Sequence, residues 1–227
     1  MAKPLKKISR ASRADIVVFA SNLLVALRRD IAEFALKGIS SADFDALEAK
    51  KNELLKLPSD VYYSADVSII AKEKNDLRAE LVIDTRVIVS LAKIKWGVGS
   101  AQYERFAAGK MTTEKDAEFL TSCRRVHETA TVYFSVLSTI GLTQEMLDSL
   151  AAKTAAFEQK LMDIAAAKEQ RILKTEERTE LTNELYSLAS YYCTVGKIIW
   201  QDRNYALYNE YLVYKLTGLK QYKSIKK

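Results

Sequence analysis

The sequence predicts an all-α protein: a bundle of about six long antiparallel helices. A tandem duplication of a three-helix unit would build it, each copy closing with a short tail helix. Three observations lead there. Only 7 of 227 residues are glycine and 2 are proline. A β-sandwich or barrel needs turn signals every ~8–12 residues, and a doubly wound α/β fold needs glycine-rich strand ends. Apolar residues instead recur at spacings of 3 and 4, the seam of packed helices. The third observation is an internal repeat. EKNDLRAEL at 73–81 matches ERTELTNEL at 177–185, and at the same offset of 104 KIKW at 93–96 matches KIIW at 197–200. Upstream, at offset 103, Gly38, Asp45, Leu47 and Lys50 match Gly141, Asp148, Leu150 and Lys153.

The organisation follows from these matches. Residues 1–14 are a basic N-terminal tail, 15–111 the first repeat, 115–216 the second, and 217–227 a basic C-terminal tail. No linker rich in proline or glycine separates the repeats, so they are expected to pack as one body. In the first repeat, helix one carries Ile16, Phe19, Leu23, Leu27, Ile31 and Phe34 and stops at Gly38. Ser40 or Ser41 caps helix two, which carries Phe44, Leu47 and Leu54. Pro58 lacks a backbone donor and must kink or break that helix. Helix three runs from about Asn75 to Trp96 and stops in Gly97-Val98-Gly99-Ser100. In the second repeat, Phe119, Cys123, Val126, Ala130, Tyr133, Leu137 and Ile140 form a heptad seam before Gly141. Thr143 then caps a helix bearing Leu147, Leu150, Thr154, Phe157, Leu161 and Ile164. A further helix carries Leu181, Leu185, Leu188, Tyr192, Val195 and Ile199. Gly196 falls inside it and marks a close helix contact.

Most catalytic chemistry lacks the residues it needs, and no catalytic, cofactor-binding or metal-ligating set is expected. The only histidine is His127. A di-iron bundle site needs Glu-x-x-His on two helices, and position 124 is arginine. Zinc sites fail on the count of histidine and cysteine. Neither phosphate-binding glycine motif is present. Repeated carboxylates, Glu73, Asp76 and Glu80 in one copy and Glu177, Glu180 and Glu184 in the other, share one helix face each. Nearby lysines and arginines make a solvated face their ordinary reading. Cys123 and Cys193 cannot form a disulfide framework and read as buried thiols in a reducing cytoplasm. There is no run of about 18 apolar residues to span a membrane, and the N-terminus lacks the apolar core of a signal peptide.

Charge and aromatic residues are the more informative features. The net charge is +6. Lys3, Lys6, Lys7, Arg10 and Arg13 give residues 1–14 a charge of +5, and five lysines give residues 215–227 another +5, leaving −4 for the body. Lys3, Lys6, Lys7, Arg10, Arg13, Lys220, Lys223, Lys226 and Lys227 are therefore candidates for nucleic acid or another anionic surface. Of 12 tyrosines, 8 lie in the last 42 residues. Tyr205, Tyr208, Tyr211 and Tyr214, with Trp200, are candidates for an assembly or partner interface, since these side chains bury area and keep a polar handle. The matches Trp96/Trp200 and Tyr103/Tyr208 give part of this cluster a structural role within its own bundle.

The phrase GKIIWQDRNYALYNEYLVYKL, from Gly196 to Leu216, resembles the endings of uncharacterised all-helical proteins of Bacteroidota. Those close with Gly-Lys, an aromatic residue, and tyrosines before the tail. The resemblance covers the last forty or so residues and implies an all-helical fold and no known activity. The functional expectation is a non-enzymatic, cytoplasmic structural or interaction protein, working as a homo-oligomer or with a protein partner. The alternative is a nucleic-acid or ribosome-associated protein gripping phosphate through the basic termini.

Overall fold

The computed structural model describes residues 6–107, 109 and 111–213. Among these there is no strand, and the fold is all-α. The helices are α1 (Arg13–Arg29), α2 (Ile31–Ala35), α3 (Ser41–Lys56), α4 (Asp60–Trp96), α5 (Ala101–Glu104), α6 (Asp116–Val132), α7 (Phe134–Leu137), α8 (Gln144–Trp200) and α9 (Tyr205–Glu210). Short 3-10 turns occupy Met111–Thr113 and Ser138–Ile140.

The chain divides into two compact units: Met1–Asp60 with Arg171–Lys227, and Val61–Gln170. Each unit draws helices from both predicted repeats. In the first, α1, α2 and α3 pack with residues 171–200 of α8 and with α9. Ile16, Phe19, Leu23, Leu27, Phe34, Phe44, Leu47 and Leu54 meet Leu185, Ala189, Tyr192, Cys193 and Tyr211 in its core. In the second, α6, α7 and residues 144–170 of α8 pack with α4. Phe119, Cys123, Val126, Ala130, Leu137, Leu147, Leu150 and Phe157 meet Leu81, Ile88, Ala92 and Phe106. Each fully buried Leu, Ile or Phe contributes about 1.5–3 kcal/mol, so the heptad seams are what hold both units.

Local chemistry sets most boundaries. At the start of α1 the Ser12 hydroxyl accepts from the Asp15 N–H at 3.1 Å, and the Asp15 carboxylate accepts from the Ser12 N–H at 2.9 Å. At the start of α3 the Asp43 carboxylate accepts from the Ser40 N–H at 2.8 Å and from its hydroxyl at 2.7 Å. Gly38 and Gly141 turn the chain at φ 77° and 111°, where a Cβ would be strained. Pro58 falls in the break between α3 and α4. In the second unit Arg78 ties the segment leading into α6 to α4. It donates to Asp116 at 2.8 Å and to the Glu114 carbonyl at 2.6 Å, and lies 4.1 Å above the Phe119 ring.

Three expectations about the elements are corrected. Helix one of each repeat is not continuous to its glycine. It breaks at Asp30 (φ −96°, ψ 16°) and at Tyr133 (φ −98°, ψ 15°), the same backbone turn at positions 103 apart. Helix three of the first repeat begins at Asp60, well before Asn75. The second and third helices of the second repeat are one helix of 57 residues. No glycine or proline interrupts residues 162–180, so nothing there ends the hydrogen-bond ladder.

Candidate functional site

The aromatic C-terminal cluster forms around one buried carboxylate. Asp30, 6% exposed, sits at the break between α1 and α2. It accepts from the Trp200 indole Nε1 at 3.0 Å and the Tyr211 hydroxyl at 2.7 Å. Arg29 adds two hydrogen bonds, from Nε at 2.7 Å and from Nη2 at 2.9 Å. Burial pushes the Asp30 pKa up, but the donors from Arg29, Tyr211 and Trp200 outweigh it and hold the carboxyl below its ordinary value. Burial, with the bond to Asp30, raises the Tyr211 hydroxyl well above the ordinary tyrosine value.

The segment that delivers Tyr211 is shaped locally. Asn204 caps α9, its side-chain oxygen accepting from the N–H groups of Ala206 at 3.0 Å and Leu207 at 3.2 Å. Arg29 reaches Glu210 at 2.6 Å, and Arg203 pairs with Glu33 while its guanidinium lies 4.9 Å from the Trp200 ring centre. The Tyr211 ring then fits against α8 at Gly196. A Cβ there would lie 2.3 Å from Tyr211 Cδ1, which no real contact permits. Gly196 is thus the close contact expected from the sequence, and its partner is Tyr211.

The candidate interface residues separate into two groups. Trp200 and Tyr211 face inward and fasten α9 to α1 and α2. Tyr205 is 77% exposed and stacks on Tyr208 with ring centres 6.5 Å apart and planes 15° apart. Tyr214 lies outside the described residues. Beside Tyr205, α1 and α9 border a shallow groove of about 320 Å³ whose lining includes Asn22, Val25, Arg29, Asn209 and Glu210. Val25 is 73% exposed and Val18, two turns away on α1, 53%.

The basic candidates separate likewise. Lys6, Lys7 and Arg10 are exposed and make no ion pair with a described residue. Their backbone is held in place: the Asn183 side chain on α8 accepts from the Ile8 N–H and donates to the Lys6 carbonyl, both at 2.9 Å. Arg13 is half-buried and donates to the Leu57 carbonyl at 3.3 Å, closing the end of α3. Lys3, Lys220, Lys223, Lys226 and Lys227 lie outside the described residues.

Four of the six repeated carboxylates, and Arg124, are engaged in ion pairs. Arg124 pairs with Glu158 at 2.5 Å beside His127. Glu73 pairs with Lys160 at 2.6 Å, Glu80 with Lys153 at 3.1 Å, Glu177 with Lys174 at 2.6 Å, and Glu184 with Lys50. Among the described residues no cluster of three or more His, Cys, Asp or Glu is arranged to hold a metal, and no helix is long and apolar enough to cross a membrane. Cys123 and Cys193 are buried, and burial pushes both thiols up to about 12.

Sequence reasoning missed Asp30, Asn183 and the Val18–Val25 face. An acid after two arginines at a helix end reads as solvated, and its partners lie 170 and 181 residues away. Val18 and Val25 are seven apart, a spacing that could have marked a second stripe on α1. No family model, curated protein or solved structure matches the chain.

Proposed function

We propose that this chain is a non-enzymatic helical-bundle protein that works through self-assembly or partner binding. The observation that carries the reading is the surface of the first unit, where Val25 lines the α1–α9 groove and Val18 of α1 and Tyr205 of α9 are exposed as well. Tyr205 is not consumed by the bundle, whereas Trp200 and Tyr211 are. Exposed aromatic residues and apolar patches mark interaction surfaces. Sedimentation velocity at micromolar concentration tests it. A self-associating species, lost in the Tyr205→Ser/Val25→Ser variant, is expected. A strict monomer that binds no protein partner would overturn it.

We further propose that the chain arose by tandem duplication of a three-helix unit, so that α8 is the fused second and third helices of the second copy. The bundle then counts about six long helices. Supporting this, buried Ile16, Leu23, Leu27, Phe44 and Leu47 stand 103 residues before buried Phe119, Val126, Ala130, Leu147 and Leu150. A reducing cytoplasm suits the two buried thiols.

A second reading is favoured by the docked N-terminal segment. Asn183 pins the backbone while Lys6, Lys7 and Arg10 remain exposed, an arrangement suited to phosphate. Fluorescence anisotropy with a labelled duplex tests it. Binding should weaken with salt at a log–log slope of up to about −0.9 per neutralised phosphate. Absence of binding at low salt excludes it.

A further inference from the structure

Each unit carries, on the outside of its long central helix, a heptad-spaced stripe that faces solvent. On α4 the positions are Asp76, Glu80, Ile83, Val87 and Ile94, all exposed. On α8 the equivalent positions, 104 residues on, are Glu180, Glu184, Ser187, Tyr191 and Ile198, again all exposed. Spacings of 4, 3, 4 and 7 place each set on one helix face. Both stripes have the same polarity: carboxylates toward the N-terminal end, apolar side chains toward the C-terminal end. Glu80 and Glu184 already meet lysines at the margin. Asp76 and Glu180 make no ion pair with a described residue.

We propose that these two faces dock residues 214–227 of a second copy of the chain. The proposal rests on the self-assembly reading and names its contact. Residues 214–227 hold Lys215, Lys220, Lys223, Lys226 and Lys227 with no acid, and Tyr214, Leu216, Leu219, Tyr222 and Ile225 are interleaved with them. That composition complements a face that is acidic at one end and apolar at the other. A second identical stripe does not: packed parallel it sets carboxylate against carboxylate, and packed antiparallel it sets carboxylates against isoleucines, with no cation in either case. Length fits as well. Fourteen residues span about 21 Å at the rise of a helix and about 46 Å fully extended, which brackets the roughly 27 Å from Asp76 to Ile94. Each chain has two such faces and one such segment, so its own segment leaves at least one face open to another chain.

The test combines a labelled synthetic peptide of residues 214–227 with sedimentation velocity of the full-length chain. The variant Asp76→Lys/Glu180→Lys/Ile94→Ser/Ile198→Ser changes only exposed positions, and its helical circular dichroism should match the parent. Expected are peptide binding that weakens at least about tenfold in the variant and at raised salt, and a parent assembly that dissociates in the variant. Assembly that persists unchanged in the variant, with no peptide binding, overturns the proposal and leaves the self-assembly reading standing. A monomeric parent without peptide binding overturns both. Peptide binding to a monomeric parent assigns the segment to its own chain and overturns docking between copies. Equal binding of a scrambled peptide reduces the effect to bulk charge and overturns it too.

Discussion

Asp30 is the residue on which the C-terminal region depends. Replacing it with alanine leaves the Trp200 N–H and the Tyr211 hydroxyl buried without an acceptor, a cost of about 2–4 kcal/mol. Urea unfolding followed by tryptophan fluorescence should record it. Because its folded pKa is depressed, the carboxylate's stabilisation is fully present above its unfolded value of about 3.9 and is lost as the pH falls through the lower folded value. Acid titration of the parent should therefore show a loss that Asp30→Asn lacks. Gly196 gives a sharper sign test. Glycine to alanine inside a helix ordinarily gains about 1 kcal/mol. Here the added methyl displaces the Tyr211 ring, so Gly196→Ala should instead lower stability, by about 1–3 kcal/mol, in thermal melts. The sequence reveals that a glycine lies in a helix. It does not reveal which ring fills the space, because that ring arrives from beyond the end of α8.

At the scale of elements, glycines and caps were legible and breaks without them were not. Gly38, Gly141 and Pro58 stop or start helices through backbone properties of their own, and Ser40 through a capping box with Asp43 three residues on. Asp30 and Tyr133 bend the chain with no such property. Each is held by contacts distant in sequence: Asp30 by Trp200, and Tyr133 by Trp96 with ring centres 4.8 Å apart. The continuity of α8 is hidden for the opposite reason, since Pro58 stands in the break between α3 and α4 while no proline or glycine stands in residues 162–180. Between Phe157 and Arg178, α8 has no buried residue. Lys168→Pro should break the helix locally, at about 3 kcal/mol. The emission of both Trp96 and Trp200 should stay native. A red shift of either tryptophan would contradict the absence of core residues from this stretch of α8.

For the whole molecule, periodicity shows which face of a helix is buried and not which helix covers it. The all-α class and the heptad seams were therefore readable, but the segment of α4 or α8 that covers each seam was not. Leu23 and Leu27 share a core with Leu185 of α8, and Val126 and Ala130 share the other with Leu81 and Ile88 of α4. The two units hold one tryptophan each, Trp200 in the first and Trp96 in the second. Phe157→Ala opens a cavity in the second core and should cost about 3–5 kcal/mol. Single-tryptophan variants should show the shift in the Trp96 transition more strongly than in the Trp200 transition.

The buried thiols extend this to time. Cys193 is sealed in one core and Cys123 in the other, each about 12 in pKa, and a thiol alkylates only as an exposed thiolate. Each alkylation rate is thus a clock for the opening of its own unit, and mass spectrometry can read both clocks in one unmodified chain.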